Sequence, residues 1–191
     1  DGFQVDADVK VNTNAEDYVA WCWKANGTGS SNTSGTINTT ATSANTTAGF
    51  SIITYTGNGT AGATIGHGLG AVPNLIIPKT LSHTGSFPVF HTVMGETKFL
   101  ELNNDGAEQT GTTRWNDTAP TSTLISLGTS NNVNGSSRTY VAYCFTEKQG
   151  FSNFGEYEGN GNADGQFVYT GFKPAFVLAK RYDGTNQWQL F

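Results

Sequence analysis

The string most suggestive of chemistry is glycine-rich: Gly57-Asn58-Gly59-Thr60-Ala61-Gly62. It has the G-x-G-x-x-G spacing of dinucleotide sites, but such a site requires the string to open a helix whose N-terminus meets the pyrophosphate. The residues that follow, 63–68, include two glycines and make a poor helix start. A similar later segment has Asp164 in place of the third glycine, and that carboxylate would repel phosphate. The sequence therefore predicts a turn here and no cofactor.

A second pattern has oxygen ligands at alternate positions, as a calcium loop does. Asn160, Asn162 and Asp164 open it, but the twelfth position, where an EF-hand needs an acidic residue, is Gly171. The sequence favours a plain turn, with a calcium site at these three residues as the weaker alternative.

The residue types that carry catalysis occur without catalytic spacing. The three histidines, His67, His83 and His91, lack the i, i+4 spacing of a helical zinc site, and no Gly-x-Ser-x-Gly nucleophile elbow is present. His67 stands between glycines, where we expect it to hydrogen-bond the backbone. Glu156 and Glu158 point to one face of a strand, but no feature marks either as buried. The sequence predicts a protein that is not an enzyme.

Aromatic residues in polar surroundings are the remaining candidates for binding. Trp115 lies between Arg114 and Asn116, and Tyr182 lies between Arg181 and Asp183. An exposed aromatic ring can stack on a sugar, although many such residues only cap the edge of a core. Trp115 and Tyr182 are therefore the predicted glycan-binding residues.

The composition predicts the elements that must hold these residues. Among 191 residues there are 24 glycines, 12% aromatic and 13% charged residues. Short runs of Thr, Val, Ile, Phe and Tyr between Gly and Asn clusters are typical of strands and tight turns. The net charge of −5 argues against a nucleic-acid partner. No stretch approaches the roughly 20 apolar residues of a membrane span, so no membrane insertion is expected.

The strongest pattern is an internal repeat. Residues 49–90 and 150–191 align at an offset of 101, or 102 around the Gly-Asn-Gly turn. The alignment pairs Gly49-Phe50-Ser51 with Gly150-Phe151-Ser152, and Phe90 with Phe191. Repeats of this kind indicate stacked copies of one supersecondary unit.

A different piece repeats near the start. Tyr18-Val19-Ala20-Trp21-Cys22-Trp23 matches Tyr140-Val141-Ala142-Tyr143-Cys144-Phe145 at an offset of 122. The extra length lies in 25–48, where 19 of 24 residues are Thr, Ser, Asn or Gly, a composition typical of linkers. The predicted organisation follows in chain order: 1–24 the C-terminal part of one unit, 25–48 a linker, 49–148 a complete β unit, and 149–191 the N-terminal part of the next. The chain is thus expected to be part of a longer tandem array.

Within 49–148 the patterns predict five strands. They are 50–56, 75–77, 98–102, 124–127 and 140–145. The last is apolar on both faces, which predicts a central strand. We expect an all-β fold of tandem β-sandwich, jelly-roll-like repeats with under about a tenth of 49–148 helical.

The two cysteines, Cys22 and Cys144, occupy the same repeat position. We expect two buried free thiols in equivalent environments.

Residues 49–73, from Gly-Phe-Ser-Ile-Ile to Gly-Leu-Gly-Ala-Val-Pro, resemble a repeat domain of virion proteins of marine bacteriophages. The resemblance continues through 115–121, 140–145 and 159–165 and spans essentially the whole chain. It implies a virion location in tail-fibre or appendage proteins, but it supplies no binding residues.

Three functions remain open at this point. The first is a structural segment of a phage fibre or virion appendage, exposed on the particle and contributing to host attachment. The alternative is a carbohydrate-binding module that recognises a host surface glycan. More distant alternatives are a capsid decoration protein and a glycan depolymerase, which would need paired acids at a set separation. The expected partners are other copies of the chain, in a trimer or fibre, and other virion proteins.

Overall fold

A computed structural model describes residues 2–191. Two helices of four residues each, α1 (Val9–Asn12) and α2 (Thr112–Trp115), accompany eleven strands. The strands are β1 (Ala41–Asn45), β2 (Phe50–Thr56), β3 (Ala63–Gly66), β4 (Leu75–Thr80), β5 (Pro88–His91), β6 (Lys98–Glu101), β7 (Gln109–Thr110), β8 (Leu124–Leu127), β9 (Thr139–Phe145), β10 (Leu178–Ala179) and β11 (Gln189–Leu190). The protein is all-β, and the small helical share predicted for 49–148 is confirmed, since α2 is the helix of that region.

One seven-stranded antiparallel sheet, in the order β1-β2-β9-β4-β5-β6-β7, dominates the molecule. β9 lies between β2 and β4 and joins the two halves of the sheet, so its predicted central position is confirmed. A separate pair, β3 with β8, contributes Ile65 and Ile125 to the same buried cluster as Ile53 of β2 and Ile76 of β4.

The two faces of β9 differ in burial. Tyr140, Ala142 and Cys144 are fully buried, whereas Val141, Tyr143 and Phe145 are only half-buried. Strand alternation explains the split, because successive side chains point to opposite faces. One face of the sheet therefore lies in the core and the other is only partly covered.

The segment 25–48 is not a free linker. β1 pairs with β2 along its full length, Ile37 and Thr39 are buried, and the Ile37 N–H donates to the Thr64 carbonyl at 2.9 Å. Thr and Ser can be buried in this segment because their hydroxyl groups hydrogen-bond to each other, as between Thr39 Oγ1 and Thr42 Oγ1 at 2.9 Å. The compact unit begins in this segment and continues to Phe145.

The terminal segments differ from the complete unit. Residues 18–23 repeat β9 in sequence but do not form a strand, and Cys22 is exposed whereas Cys144 is buried. The predicted equivalence of their environments is therefore wrong, although both thiols are free. Residues 149–191 form extended chain with one short pair, β10–β11.

The β10–β11 pair keeps the register of β4–β5. Leu178 faces Leu190. At the repeat offset these are Ile77 and Val89, the pair that continues the register in which Leu75 faces His91 and Ile76 faces Phe90. The two copies of this hairpin thus share one arrangement of the backbone.

Candidate functional site

Trp115, predicted to be an exposed glycan-stacking residue, is buried at 2% exposure. It ends α2, packs edge-on against Phe90 at 5.8 Å between ring centroids, and donates its Nε1–H to the Lys98 carbonyl at 3.0 Å. The polar neighbours misled the prediction because α2 turns the indole inward while Asn116 leaves the helix in a left-handed conformation with φ 55°. Trp115 cannot stack on a sugar in this fold.

Tyr182 is half-buried beside β7, where its carbonyl accepts from the Glu108 N–H at 2.7 Å. Its hydroxyl donates to Glu156 Oε2 at 2.7 Å, and this bond and the carboxylate charge raise the pKa of the phenol. Arg181 and Asp183 form an exposed ion pair with 2.8 Å between Nε and Oδ1. The polar atom that a sugar would contact at Tyr182 is therefore already bonded, and Trp115 does not join it in a common surface.

The calcium alternative places its three residues in an exposed turn. Asn160 Oδ1 accepts from the Asn162 N–H at 3.0 Å, and Asn160 Nδ2 donates to the Asp164 carbonyl at 3.2 Å. The side-chain oxygen that would ligate a cation instead closes the turn. Within residues 2–191, no group of three or more His, Cys, Asp or Glu side chains could hold a metal ion.

His67 is fully buried and bonded to the backbone, as the sequence indicated. Its Nε2 donates to the Thr121 carbonyl at 3.1 Å, and its Nδ1 accepts from the Leu69 N–H at 3.2 Å. Both bonds are satisfied only by the neutral ring with its proton on Nε2. Burial also lowers the pKa of His67, and this likewise favours the neutral ring. The neutral ring of His67 thus joins Thr121 and Leu69 through hydrogen bonds to their backbones.

Asn134 is a buried amide that the sequence analysis did not single out. Its Oδ1 accepts from the Asn58 N–H at 2.9 Å, and its Nδ2 donates to the carbonyls of Thr60 and Gly128 at 2.9 and 3.1 Å. The glycine-rich string 57–62 is thus held as a turn, and no helix follows it. The helix that a dinucleotide site of this spacing requires is therefore missing, since strand β3 follows the string.

The surface that the structure builds instead is aromatic and lies where the two terminal segments meet. We call it the aromatic seam: Trp21, Trp23, Phe50, Phe145 and Phe176. The Trp23 ring contacts the rings of Phe50, Phe145 and Phe176 at centroid distances of 6.3, 5.8 and 5.7 Å. Trp21 meets Phe176 edge-on at 5.8 Å.

The two tryptophans of the seam are poorly shielded from water, whereas Phe50 beneath them is buried. Trp21 and Trp23 are each close to half exposed, and the neighbouring Val19 and Val177 are exposed as well. Sequence repeats could have revealed the seam, since its tryptophans match Tyr143 and Phe145, and Phe176 matches Leu75. An exposed apolar surface of this kind is typical of contacts with another macromolecule.

Comparison with protein families gives a match over residues 1–191 to DUF7483, a domain of unknown function. The chain belongs to this family. No curated protein and no solved structure matches it.

Two features of the DUF7483 chain concern its helices and its buried thiol. Among its described residues, no helix has the length and apolar character needed to cross a bilayer. The thiol of Cys144 is fully buried, and burial raises its pKa, which keeps it protonated and unreactive. The aromatic seam is the feature of the domain best suited to recognition.

Proposed function

We propose that this DUF7483 chain is a structural segment of a phage fibre or other virion appendage, exposed on the particle and assembled from several copies. In this proposal successive β units are jelly-roll-like sandwiches in tandem, and other virion proteins and copies of the chain cover their open surfaces. The common register of β10–β11 and β4–β5 supports the tandem arrangement.

One observation carries the proposal: repeat positions that are buried in 49–148 are exposed in the terminal segments. Phe90 is 3% exposed and its counterpart Phe191 is 77% exposed; Ile76 is 2% exposed and its counterpart Val177 is 41% exposed. Fully burying a side chain of this size stabilises by about 1.5–3 kcal/mol, so several uncovered copies favour association. Assembly with other copies is the simplest way to cover them.

The carbohydrate-binding alternative loses its main support, because Trp115 is in the core and the Tyr182 hydroxyl is bonded to Glu156. Host attachment then depends on the assembled surface rather than on one stacking residue. A glycan array probed with the purified chain checks this point directly, and saturable binding abolished by Tyr182→Ala would restore the alternative.

The experiment for assembly is the mass of the purified chain in solution, measured by light scattering over a range of concentrations. We expect a mass that rises well above the 20.3 kDa of one chain. Phe191→Ser should reduce association, whereas Leu81→Ser, at another exposed apolar position in the complete unit, should leave it unchanged. A monomer at all concentrations would contradict self-assembly.

The virion location has its own test. Antibodies raised against the chain should label an external appendage in electron micrographs of virus particles that carry its gene. Labelling confined to cells without particles would contradict the location while leaving self-assembly intact.

A further inference from the structure

The central strand β9 has two partners, and the chain carries a second copy of each of the three strands. β9 pairs with β2 from Thr139 to Phe145 and with β4 from Tyr140 to Phe145. Residues 18–23 repeat 140–145 of β9, residues 151–157 repeat 50–55 of β2 with one insertion, and residues 176–181 repeat β4. A second sheet of the same design therefore has all three of its central strands in this sequence.

Two of these segments, 18–23 and 176–181, lie close together without pairing as strands. Among the described residues, 18–23 take part in no backbone–backbone hydrogen bond, although Trp21 and Trp23 contact the ring of Phe176. In the complete unit the equivalent positions, Phe145 and Leu75, face each other across β9 and β4. The contact between Trp23 and Phe176 thus reproduces a neighbour relation of the finished sheet.

Residues next to 18–23 and to 176–181 are hydrogen-bonded to the complete unit of their own chain. The Lys24 carbonyl accepts from Asn45 Nδ2 at 3.2 Å, and the Asn26 N–H donates to Ser43 Oγ at 2.9 Å. At the other end, the Asn186 N–H donates to the Asp105 carbonyl at 2.8 Å, and Trp188 Nε1 donates to Glu101 O at 3.2 Å. These bonds tie the residues next to both segments to the complete unit, while 18–23 makes no backbone–backbone hydrogen bond within the described chain.

We propose that residues 18–23 of one copy add as a β strand between residues 151–157 and 176–181 of a second copy. The strand takes the place that β9 has in the complete unit. This inference rests on the self-assembly in the proposed function and specifies its chemistry: main-chain hydrogen bonds supply the affinity, and alternate side chains supply the specificity. Because donor and acceptor lie in different parts of each chain, the contact is head-to-tail and links successive copies into a closed ring or an open filament.

The repeat offsets give the register of the added strand. Trp23 faces Phe151 and Phe176, as Phe145 faces Phe50 and Leu75. Cys22 faces Val177, as Cys144 faces Ile76. Residues directly opposite in an antiparallel pair have Cα atoms about 4.5–5.5 Å apart, which is within the range that a disulfide spans.

This register is tested by disulfide cross-linking through the native Cys22. Val177→Cys places a thiol opposite Cys22, whereas Leu178→Cys places one opposite Trp21, on the other face of the strand. Both positions are partly exposed in the single chain, so both variants should fold, and the buried Cys144 stays unreactive. After mild oxidation we expect Val177→Cys to give a ladder of linked chains on a non-reducing gel and Leu178→Cys to give none.

A second test blocks strand addition by 18–23 with one proline variant and uses another proline variant as the control. Val19→Pro removes a main-chain donor inside the added strand, which a central strand does not tolerate. In the Val177→Cys background it should abolish the ladder, and Val5→Pro, exposed and outside the repeat, should leave it intact.

The outcomes separate the two proposals. Equal cross-linking at 177 and 178, or a cross-link confined to single chains, overturns strand exchange. If the light-scattering mass still exceeds one chain in either case, self-assembly stands and only its mode is wrong. A monomer at every concentration contradicts both.

Discussion

At the scale of single residues, Trp115 has the largest fully buried side chain. Its indole fills the space beside Phe90 and its Nε1–H satisfies the Lys98 carbonyl, so it serves both packing and hydrogen bonding. We expect Trp115→Ala to lower the free energy of unfolding by about 3–5 kcal/mol. Tyr182→Ala, at a surface position, should change it by less than about 1 kcal/mol. Urea denaturation of both variants measures the difference, and equal effects would contradict the buried position.

His67 gives the fold a dependence on pH. Its pKa is lowered in the folded chain by burial, whereas the unfolded histidine titrates near about 6.5. As the pH falls below that value, the unfolded chain binds a proton that the folded chain does not, so stability is full above it and declines below it. Protonation would also place a second N–H against the Leu69 N–H.

We expect the free energy of unfolding to be smaller at about pH 5.5 than at about pH 7.5, a window above most carboxylate titrations. His67→Gln should reduce this difference, and His83→Gln, at an exposed position, should not. His91, whose pKa burial also lowers, accounts for part of the remaining slope. An unchanged slope in His67→Gln would show that the histidine is accessible to protons in the folded chain.

At the scale of elements, the segment 25–48 belongs to the cooperative unit through β1 and the turn before it. A Cβ at Gly35 would lie 2.4 Å from the Thr64 carbonyl oxygen, which is backbone of β3 and cannot move aside. Gly35→Ala should therefore destabilise the whole unit by about 1–3 kcal/mol. Gly165→Ala, with open space around it, should change stability by less than about 0.5 kcal/mol. If chemical denaturation finds the two variants alike, 25–48 is a linker after all.

At the scale of the whole molecule, stability is concentrated between the two terminal segments. Residues 18–23 lack backbone pairing, and 149–191 contain only the short β10–β11 pair among the described strands. Segments of this kind open at low free-energy cost and are cleaved first. In dilute solution, limited trypsin digestion should cut after Lys24 and Lys148 and leave a resistant fragment of 25–148. Early cleavage at Lys98 or Arg114, read by mass spectrometry, would contradict this distribution.

The five strands with clear apolar patterning were predictable from sequence, whereas β1, β3, β5 and β7 were not predicted. β2 and β8 begin and end where the apolar runs and flanking turns indicated, and β9 is central because both of its faces are apolar. The interpretation of His67 was also local, since a histidine between two glycines has few partners other than nearby backbone.

Burial could not be predicted wherever it depends on distant partners. Trp115 looked exposed because its sequence neighbours are polar, yet Phe90 and Lys98 bury it. The segment 25–48 looked like a linker because its composition is polar, but the edge of β2 supplies backbone bonds that composition does not report. Cys22 and Cys144 share one local sequence and differ in exposure, since only Cys144 has β2 and β4 beside it. The sequence by itself determined the repeats and the five apolar-patterned strands of 49–148; the tertiary structure alone decided which copies pair and are covered, because hydrogen-bond partners and buried area come from residues far apart in the chain.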